Sequence, residues 1–384
     1  MTFSFDAAAA QGAVIKVIGV GGGGGNAINR MIENNVSGVT YVAINTDSQD
    51  LKRSLAQIRI LIGEGPNKGL GAGQNAERGK VAATESEDTI RQALTSANMV
   101  FVTCGMGGGT GTGAAPVVAK VAKELGALVV GVVTKPYTLE GKKRKENALR
   151  GIAELKPNCD ALIVIENDKL NEISDHRTTL LDAFREADNV LRQCVQGISD
   201  LIMFPGVINV DFADIKTVLE NKGTAIMGIG VASGENKAIK AARAAISSKI
   251  LETSIQGATD AILNITAPTE LSQFELSEVL QEIRNNTSTD INIIMGVMIN
   301  DKLVDEIIVT VIATGVELTK SHTDAESFAN ELVKNTETAF FNQEIKKIQD
   351  QAQDDFFASF NQDTDKSQDA ETDENSDIPF WARK

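Results

Sequence analysis

Two glycine-dense segments and one pair of aspartates carry most of the chemistry written in this chain. Gly19-Val20-Gly21-Gly22-Gly23-Gly24-Gly25-Asn26 follows an apolar run, precedes a helical pattern, and satisfies G-x-G-x-x-G through Gly19, Gly21 and Gly24. Backbone amides free of a Cβ can approach a phosphate there, at a helix start that favours negative charge. Asp47, after the next apolar run, falls where dinucleotide folds keep a ribose-binding acid. A tight strand–helix turn explains one or two such glycines but hardly five in succession. The second segment, Gly105-Met106-Gly107-Gly108-Gly109-Thr110-Gly111-Thr112-Gly113, alternates Gly with Thr, again between a strand-like run and a helix. A dinucleotide fold needs one such loop for one pyrophosphate. Two suggest a larger polyphosphate gripped from both sides, with Thr110 and Thr112 donating hydroxyl bonds. No G-x-x-x-x-G-K-[ST] occurs, which excludes the P-loop class and its phosphate-binding lysine. The third constellation is Asn209-Val210-Asp211-Phe212-Ala213-Asp214. Asp211 could cap the helix that follows, with Asp214 completing a box-like N-terminus; such a cap contributes about 1 kcal/mol and needs no chemistry. Two acids three apart at a helix start also point the same way, ready to orient water and a cation near a terminal phosphate. Both readings can hold at once.

These residues must be held by elements, and the first half of the chain supplies an alternating set. Apolar, β-branched runs at Ala13–Val20, Val39–Ile44, Asn98–Thr103, Leu128–Thr134 and Ala161–Ile165 predict buried parallel strands. Helical stretches at Asn26–Glu33, Ser86–Ala97, Gly113–Leu125 and Lys142–Leu155 separate most of them. That is the rhythm of a doubly wound parallel sheet. Leu180, Phe184, Ala187, Leu191, Cys194, Ile198 and Ile202 then recur at helical spacing, predicting a long central helix that Pro205-Gly206 ends. Beyond it, strands are expected at Thr224–Val231, Gly257–Thr266, Ile291–Ile299 and Glu306–Ala313. Helices are expected at Asp211–Glu220, Glu235–Ser248 and Leu271–Arg284. The expectation is α/β throughout: a nucleotide-binding domain over 13–178, a central helix over 179–203, and a second, smaller α/β domain over 204–315.

Composition marks where folding stops. All 33 Gly lie at or before Gly315, yet half of the 14 Phe and the sole Trp follow it. Between Ile348 and Asp377 ten acidic residues face one Lys, a stretch too poor in apolar surface to fold alone. We therefore expect a flexible N-terminus over 1–12, an acidic disordered linker over 316–376 and a partner-binding peptide over 377–384, where Ile378-Pro379-Phe380-Trp381 turns abruptly apolar. The 37 basic against 52 acidic residues give a formal charge of −15, which argues against nonspecific nucleic-acid or anionic-membrane binding. Three Cys (Cys104, Cys159, Cys194) and two His (His176, His322) make a disulfide framework, a zinc site or a His-based triad poor readings. No run reaches the roughly 18 apolar residues of a membrane span, and the start lacks a signal-peptide pattern, so the reading is cytoplasmic and reduced.

Gly107–Gly113 resembles the signature of the tubulin and FtsZ superfamily of GTP-binding, polymerising proteins. The chain is similar to the FtsZ group of bacterial cell-division GTPases from Val14 to about Gly315. Collinear segments agree: Gly19–Ala27, Asn45-Thr46-Asp47, Lys68-Gly69-Leu70-Gly71-Ala72-Gly73, Glu140-Gly141-Lys142-Lys143-Arg144 and Asn209–Asp214. Cys104, Tyr137 and Phe380-Trp381 depart from the residues common in that group.

The resemblance implies GTP or GDP held by Gly21, Gly22, Gly23, Gly24, Gly25, Asn26, Asp47, Gly73, Gly107, Gly108, Gly109, Thr110, Gly111, Thr112, Gly113 and Thr134. It further implies ribose and phosphate contacts from Glu140 and Arg144, and base contacts from Asn167, Phe184 and Asp188. A carboxylate that accepts from both guanine N1–H and the exocyclic amine prefers guanine to adenine. Mg2+ would be held mainly by phosphates and water, with no metal site built from protein side chains. Asn209, Asp211 and Asp214 would enter the neighbouring subunit's site and act on the attacking water. The expected assembly is a head-to-tail homopolymer beneath the inner membrane at the division site, tethered through 377–384 to membrane-bound adaptors, with neither nucleic-acid binding nor direct membrane insertion. A Rossmann-type oxidoreductase using NAD(P) or FAD is the competing reading. It rests on Gly19, Gly21, Gly24 and Asp47 and explains neither the second glycine segment nor Asn209–Asp214.

Overall fold

A computed structural model describes residues 12–63, 69–171, 178–204, 206–248, 255–287 and 290–316, all within one compact unit. The expected N-terminal segment apart from Gly12, the acidic linker beyond Val316 and the terminal peptide fall outside the described residues, as do Lys68 and Pro205.

Among the described residues ten strands make one sheet in the order β3-β2-β1-β4-β5-β6-β7-β10-β8-β9. They are β1 (Ile15–Val20), β2 (Val39–Asn45), β3 (Ile58–Leu61), β4 (Met99–Gly105), β5 (Leu128–Lys135), β6 (Ala161–Glu166), β7 (Gly223–Ser233), β8 (Asp260–Ala267), β9 (Asn292–Ile299) and β10 (Glu306–Thr314). The helices are α1 (Gly21–Glu33), α2 (Ser48–Arg53), α3 (Ala76–Glu85), α4 (Glu87–Leu94), α5 (Thr110–Glu124), α6 (Lys142–Leu155), α7 (Asn167–Asn171), α8 (Leu180–Met203), α9 (Phe212–Leu219), α10 (Lys237–Ile246) and α11 (Gln273–Asn285). β1, β2, β4, β5 and β6 are parallel and largely buried on both faces, which is why they read as apolar runs rather than as alternation, whereas β3 pairs at the sheet edge with Arg59 exposed. One face packs α1, α8 and α9 onto Val17, Phe101, Val130 and Ile163. The other packs α3 to α6 onto Ile18, Val102, Val129 and Val133. Each such buried side chain contributes roughly 1.5–3 kcal/mol of transfer free energy.

The second lobe has a core of its own, in which Ala241, Ala245, Val279 and Ile283 of α10 and α11 meet Leu263, Val309 and Val311. Its strands nevertheless continue the same sheet. The junction is narrow: Ala161, Leu162 and Ile163 of β6 pair with Gly223, Thr224 and Ala225 of β7, and the parallel ladder ends there. By contrast β7 and β10 share nine antiparallel pairs.

Two expectations need correction. Gly21–Gly25 are not a loop but the first turns of α1, and α5 begins at Thr110, so Gly111, Thr112 and Gly113 are helical. Glycine disfavours a helix by roughly 1 kcal/mol against alanine, and close packing reverses that preference here. A Cβ on Gly24 would stand 2.4 Å from the Thr103 carbonyl of β4, and one on Gly113 1.8 Å from the Ala76 carbonyl of α3. β3, α2 and α3 were not anticipated. Among the described residues no helix is long and apolar enough to cross a membrane.

Candidate functional site

The C-terminal ends of β1, β2, β4 and β5 open into a cleft of about 630 Å³, the position at which open parallel sheets bind ligands. Two helix N-termini reach it. α1 contributes Gly22, Gly23 and Asn26, and the turn into α5 contributes Gly108, Gly109, Thr110 and Gly111. The first amides of both helices have no intrahelical acceptor, and no side chain caps either end. The cleft is thus fitted with unpaired donors and two positive dipole ends, an arrangement suited to polyphosphate.

The glycines divide into two groups by what surrounds them. At Gly108 a Cβ would meet nothing within 4 Å, and at Gly22 only an Asp50 carboxylate oxygen at 3.4 Å. Both line the cleft, so these two are open toward a ligand rather than held by packing. Gly21, with φ +71°, abuts the Gly111 amide, and Gly24 abuts Thr103, so both answer to the protein. Gly25 faces open space but lines a neighbouring cavity of about 370 Å³ rather than the cleft.

The far end of the cleft suits a base. Asn167 starts α7 beside the end of β6 and is 5% exposed, yet its Oδ1 has no hydrogen-bond partner among the described residues. Asp188, one turn beyond Phe184 on α8, lines the same end. Burial pushes the Asp188 carboxyl up to about 6, opposed by the Arg30 guanidinium, whose Nε lies 3.5 Å from Oδ2. Phe184 is 39% exposed and meets the Tyr137 ring edge-on at 5.4 Å. Tyr137 Oη donates to the Ala183 carbonyl at 3.0 Å, which ties α8 to the segment after β5. Near the middle, Arg144 donates to Glu140, whose other carboxylate oxygen accepts from the Tyr137 amide at 2.9 Å. Thr134, Asp47 and Gly73 complete the walls.

Of the residues expected from sequence, the cleft therefore gathers Gly22, Gly23, Asn26, Asp47, Gly73, Gly108, Gly109, Thr110, Gly111, Thr134, Glu140, Arg144, Asn167, Phe184 and Asp188. Gly21, Gly24, Gly25, Gly107, Thr112 and Gly113 are not among its lining residues. Thr112 is buried and its Oγ1 accepts the Gly107 amide at 2.8 Å, so this hydroxyl staples the turn instead of facing a ligand. Thr110 does face the cleft, sharing a hydrogen bond of 2.6 Å with Thr46. Asp47 Oδ1 also caps α2 by accepting the Gln49 amide at 2.8 Å. Sequence reasoning missed Asn45 and Asp50, which line the cleft, and Thr46 behind it. The signal for Asp50 was available: it lies one helical turn after Asp47.

Asn209, Asp211 and Asp214 do not line the cleft. Asp211 Oδ1 accepts the Asp214 amide at 2.8 Å, capping α9, and Asn209 Oδ1 accepts the Gly206 amide at 2.6 Å. The Asp214 carboxylate is exposed and takes part in no hydrogen bond or ion pair among the described residues.

Comparison with known proteins agrees with this geometry. Residues 14–175 match the model of the tubulin/FtsZ family GTPase domain, and residues 223–317 that of the FtsZ family C-terminal domain. An FtsZ dimer from M. jannaschii superposes with a TM-score of 0.76 at 42% identity, over 81% of this chain and 95% of that one. A single-substitution variant of FtsZ from M. jannaschii gives 0.76 at 44% identity, over 79% and 92%. CetZ1 from Haloferax volcanii, a GDP-bound monomer, gives 0.72 at 25% identity, over 83% and 99%. The oxidoreductase reading falls with the match to a GTPase domain across the strands and helices that build the cleft. Its glycine pattern is shared because both folds turn helix N-termini toward phosphate. The chain belongs to the tubulin/FtsZ family of polymerising GTPases.

Proposed function

We propose that the cleft holds GTP with guanine against Phe184, Asn167 and Asp188 and with the phosphates against Gly22, Gly23 and Gly108–Gly111. The observation that carries this reading is the buried, unpartnered Asn167 Oδ1 beside the Asp188 carboxylate. Guanine offers two donors along one edge for the Asp188 carboxylate to accept, with Asn167 Oδ1 a further acceptor near the base; adenine would set its own N1 acceptor against the carboxylate. Glu140 and Arg144 flank the ribose and phosphates. The oxygen donors Asp47, Asp50 and Thr110 on the cleft wall suit a hard cation such as Mg2+. Mg2+, held mainly by phosphate oxygens and water, would supply neutralisation of the phosphate charge.

Hydrolysis needs a group to orient water, and the free Asp214 carboxylate is exposed at the start of α9, outside the cleft. In our reading Asp211 and Asp214, helped by Asn209, enter the cleft of a second copy and complete it. A contact between unlike faces that does not close on itself produces filaments. GTP then sits between stacked subunits, and its loss weakens the contact. Such filaments would form the division ring in the cytoplasm beneath the inner membrane, with residues 377–384 docking on membrane-tethered adaptors. The test is direct. GTP, but not ATP, should make the purified full-length protein pelletable and then be consumed as the pellet dissolves; assembly equal in both nucleotides would end this reading.

The glycine geometry gives a second check. Gly25→Ala replaces an unconstrained helical glycine, so it should raise stability by roughly 0.5–1 kcal/mol and leave nucleotide affinity unchanged. Gly22→Ala should be equally well folded but bind GTP more weakly, because its methyl group projects into the cleft. Thermal unfolding with and without nucleotide measures both, and equal affinities would refute the phosphate placement.

A further inference from the structure

Arg30 is not among the residues that line the cleft, and it lies on α1 about one and a half turns beyond Gly25. It faces Asp188, with Nε 3.5 Å from Oδ2, and that Nε is buried without a hydrogen-bond partner among the described residues. The distance is too long for a strong hydrogen bond, so the contact acts mainly through charge. Asp188 Oδ1 has no protein partner among the described residues, and Asp188 lines the cleft. We propose that Arg30 is the positioning residue for base recognition: it holds the Asp188 carboxylate ionised with Oδ2 toward α1, leaving Oδ1 for the guanine edge. This rests on the reading that Asp188 accepts from guanine.

The surroundings explain why such a residue is needed. The Asp188 side chain is only 17% exposed, and burial drives the carboxyl toward its neutral form. A protonated carboxyl carries a donor of its own and faces the guanine donors badly. The other titratable groups nearby give no help. Tyr137, from the segment after β5, is neutral, its phenol pushed up to about 12 by burial and by Glu140, Asp168, Asp188 and Glu186. Glu186, on α8 itself, is acidic. Across the cleft, the Arg144 guanidinium is engaged by Glu140. Arg30 is thus the cation that keeps Asp188 charged, and it does so from the helix whose first turn meets the phosphates.

The sign follows. Free Asp188 titrates near 6 with Arg30 present, so GDP affinity should fall as pH drops through about 6. Without the guanidinium the carboxyl rises further, and the fall should begin at higher pH. The experiment is calorimetric titration of the full-length chain with GDP from about pH 5.5 to about 8.5. Arg30→Gln and Arg30→Met, the latter keeping the aliphatic stem packed, should move the midpoint up by about one pH unit. They should then bind roughly twofold more weakly than wild type near pH 7 and about eightfold more weakly near pH 5.5, and match it at the alkaline end. Arg30→Lys should keep the wild-type midpoint. A wild-type midpoint in both neutral variants, or a loss of affinity equal at every pH, would overturn the proposal. Failure of both to fold would overturn it too, in favour of a purely structural role. Asp188→Asn separates the underlying reading. It should bind weakly with no midpoint near 6; wild-type affinity and profile in that variant would show that Asp188 is not the base acceptor.

Discussion

Asp214→Ala should leave GTP affinity within about twofold of wild type and cut turnover by roughly 100-fold or more, the usual worth of a group that orients and activates water. The structure makes this position a cleaner probe than its neighbour. Asp211 spends one carboxylate oxygen on the Asp214 amide, so Asp211→Ala removes a helix cap of about 1 kcal/mol along with any chemistry. Asp214 contributes only its amide to that cap, and alanine keeps the amide. Its carboxylate near the start of α9 adds about 0.3–1 kcal/mol through the helix dipole, so the variant should fold. Turnover in the wild type should also rise more steeply than protein concentration above an assembly threshold. Mixing decides between a shared site and a private one. Gly108→Asp places a charged side chain in the phosphate cradle without meeting a protein neighbour, so it blocks the pocket and spares the fold. Combined with Asp214→Ala it should restore activity where a good pocket faces a good acid, provided the blocked protein still joins filaments. An unimpaired Asp214→Ala enzyme, with specific activity independent of concentration, would leave only the cap.

The second large effect is on selectivity. Asp188→Ala removes the acceptor of two guanine donors, and hydrogen bonds to a charged group contribute about 1.5–3 kcal/mol each. GTP affinity should fall roughly 100-fold or more while ATP affinity stays poor, so discrimination erodes. Stability should move the other way. The Asp188 carboxyl titrates near 6 when folded and near its ordinary value when unfolded. It therefore favours folding below its ordinary range, and that contribution is lost as pH rises through about 6. At neutral pH the native state carries a buried charge it would be more stable without. An Asp188→Ala protein that is equally or more heat-resistant in the absence of nucleotide, yet binds GTP poorly, fits this account; unchanged calorimetric affinity and selectivity would end it.

Much of the architecture was legible because buried parallel strands announce themselves. Ile15–Val20 and Leu128–Lys135 are apolar almost throughout, and the three- and four-residue spacing of Leu191, Cys194 and Ile198 leaves little choice but a helix. The glycines were harder. Local propensity assigns Gly21–Gly25 to a loop, and only the approach of α1 to β4 makes a helix of them, which is a tertiary fact. Short elements such as α2 and β3 carry too few residues to show a period. The residues of the cleft were found through their types, but which glycines serve the ligand and which serve the packing was not. Gly108 and Gly113 look alike in sequence, and one faces open space while the other touches a carbonyl. Asp211 could be read equally as cap or catalyst, and the hydrogen bond to the Asp214 amide assigns the cap while leaving Asp214 free.

The narrow seam between β6 and β7 has a mechanical consequence. A sheet behaves as a plate whose resistance to twist at any join grows with the backbone bonds that cross it. The ladder from Ala161–Ile163 to Gly223–Ala225 is a third the length of the one between β7 and β10, so the plate has a compliant line there. One core face is nevertheless continuous across it, for Ala161 and Ile163 share a cluster with Ala225, Met227, Ile262 and Ile312. The helix whose first turn carries Asp214 packs on that shared cluster through Ile215, Val218 and Leu219. Torsion at that line is therefore resisted by side-chain packing on one face more than by the few backbone bonds that cross it.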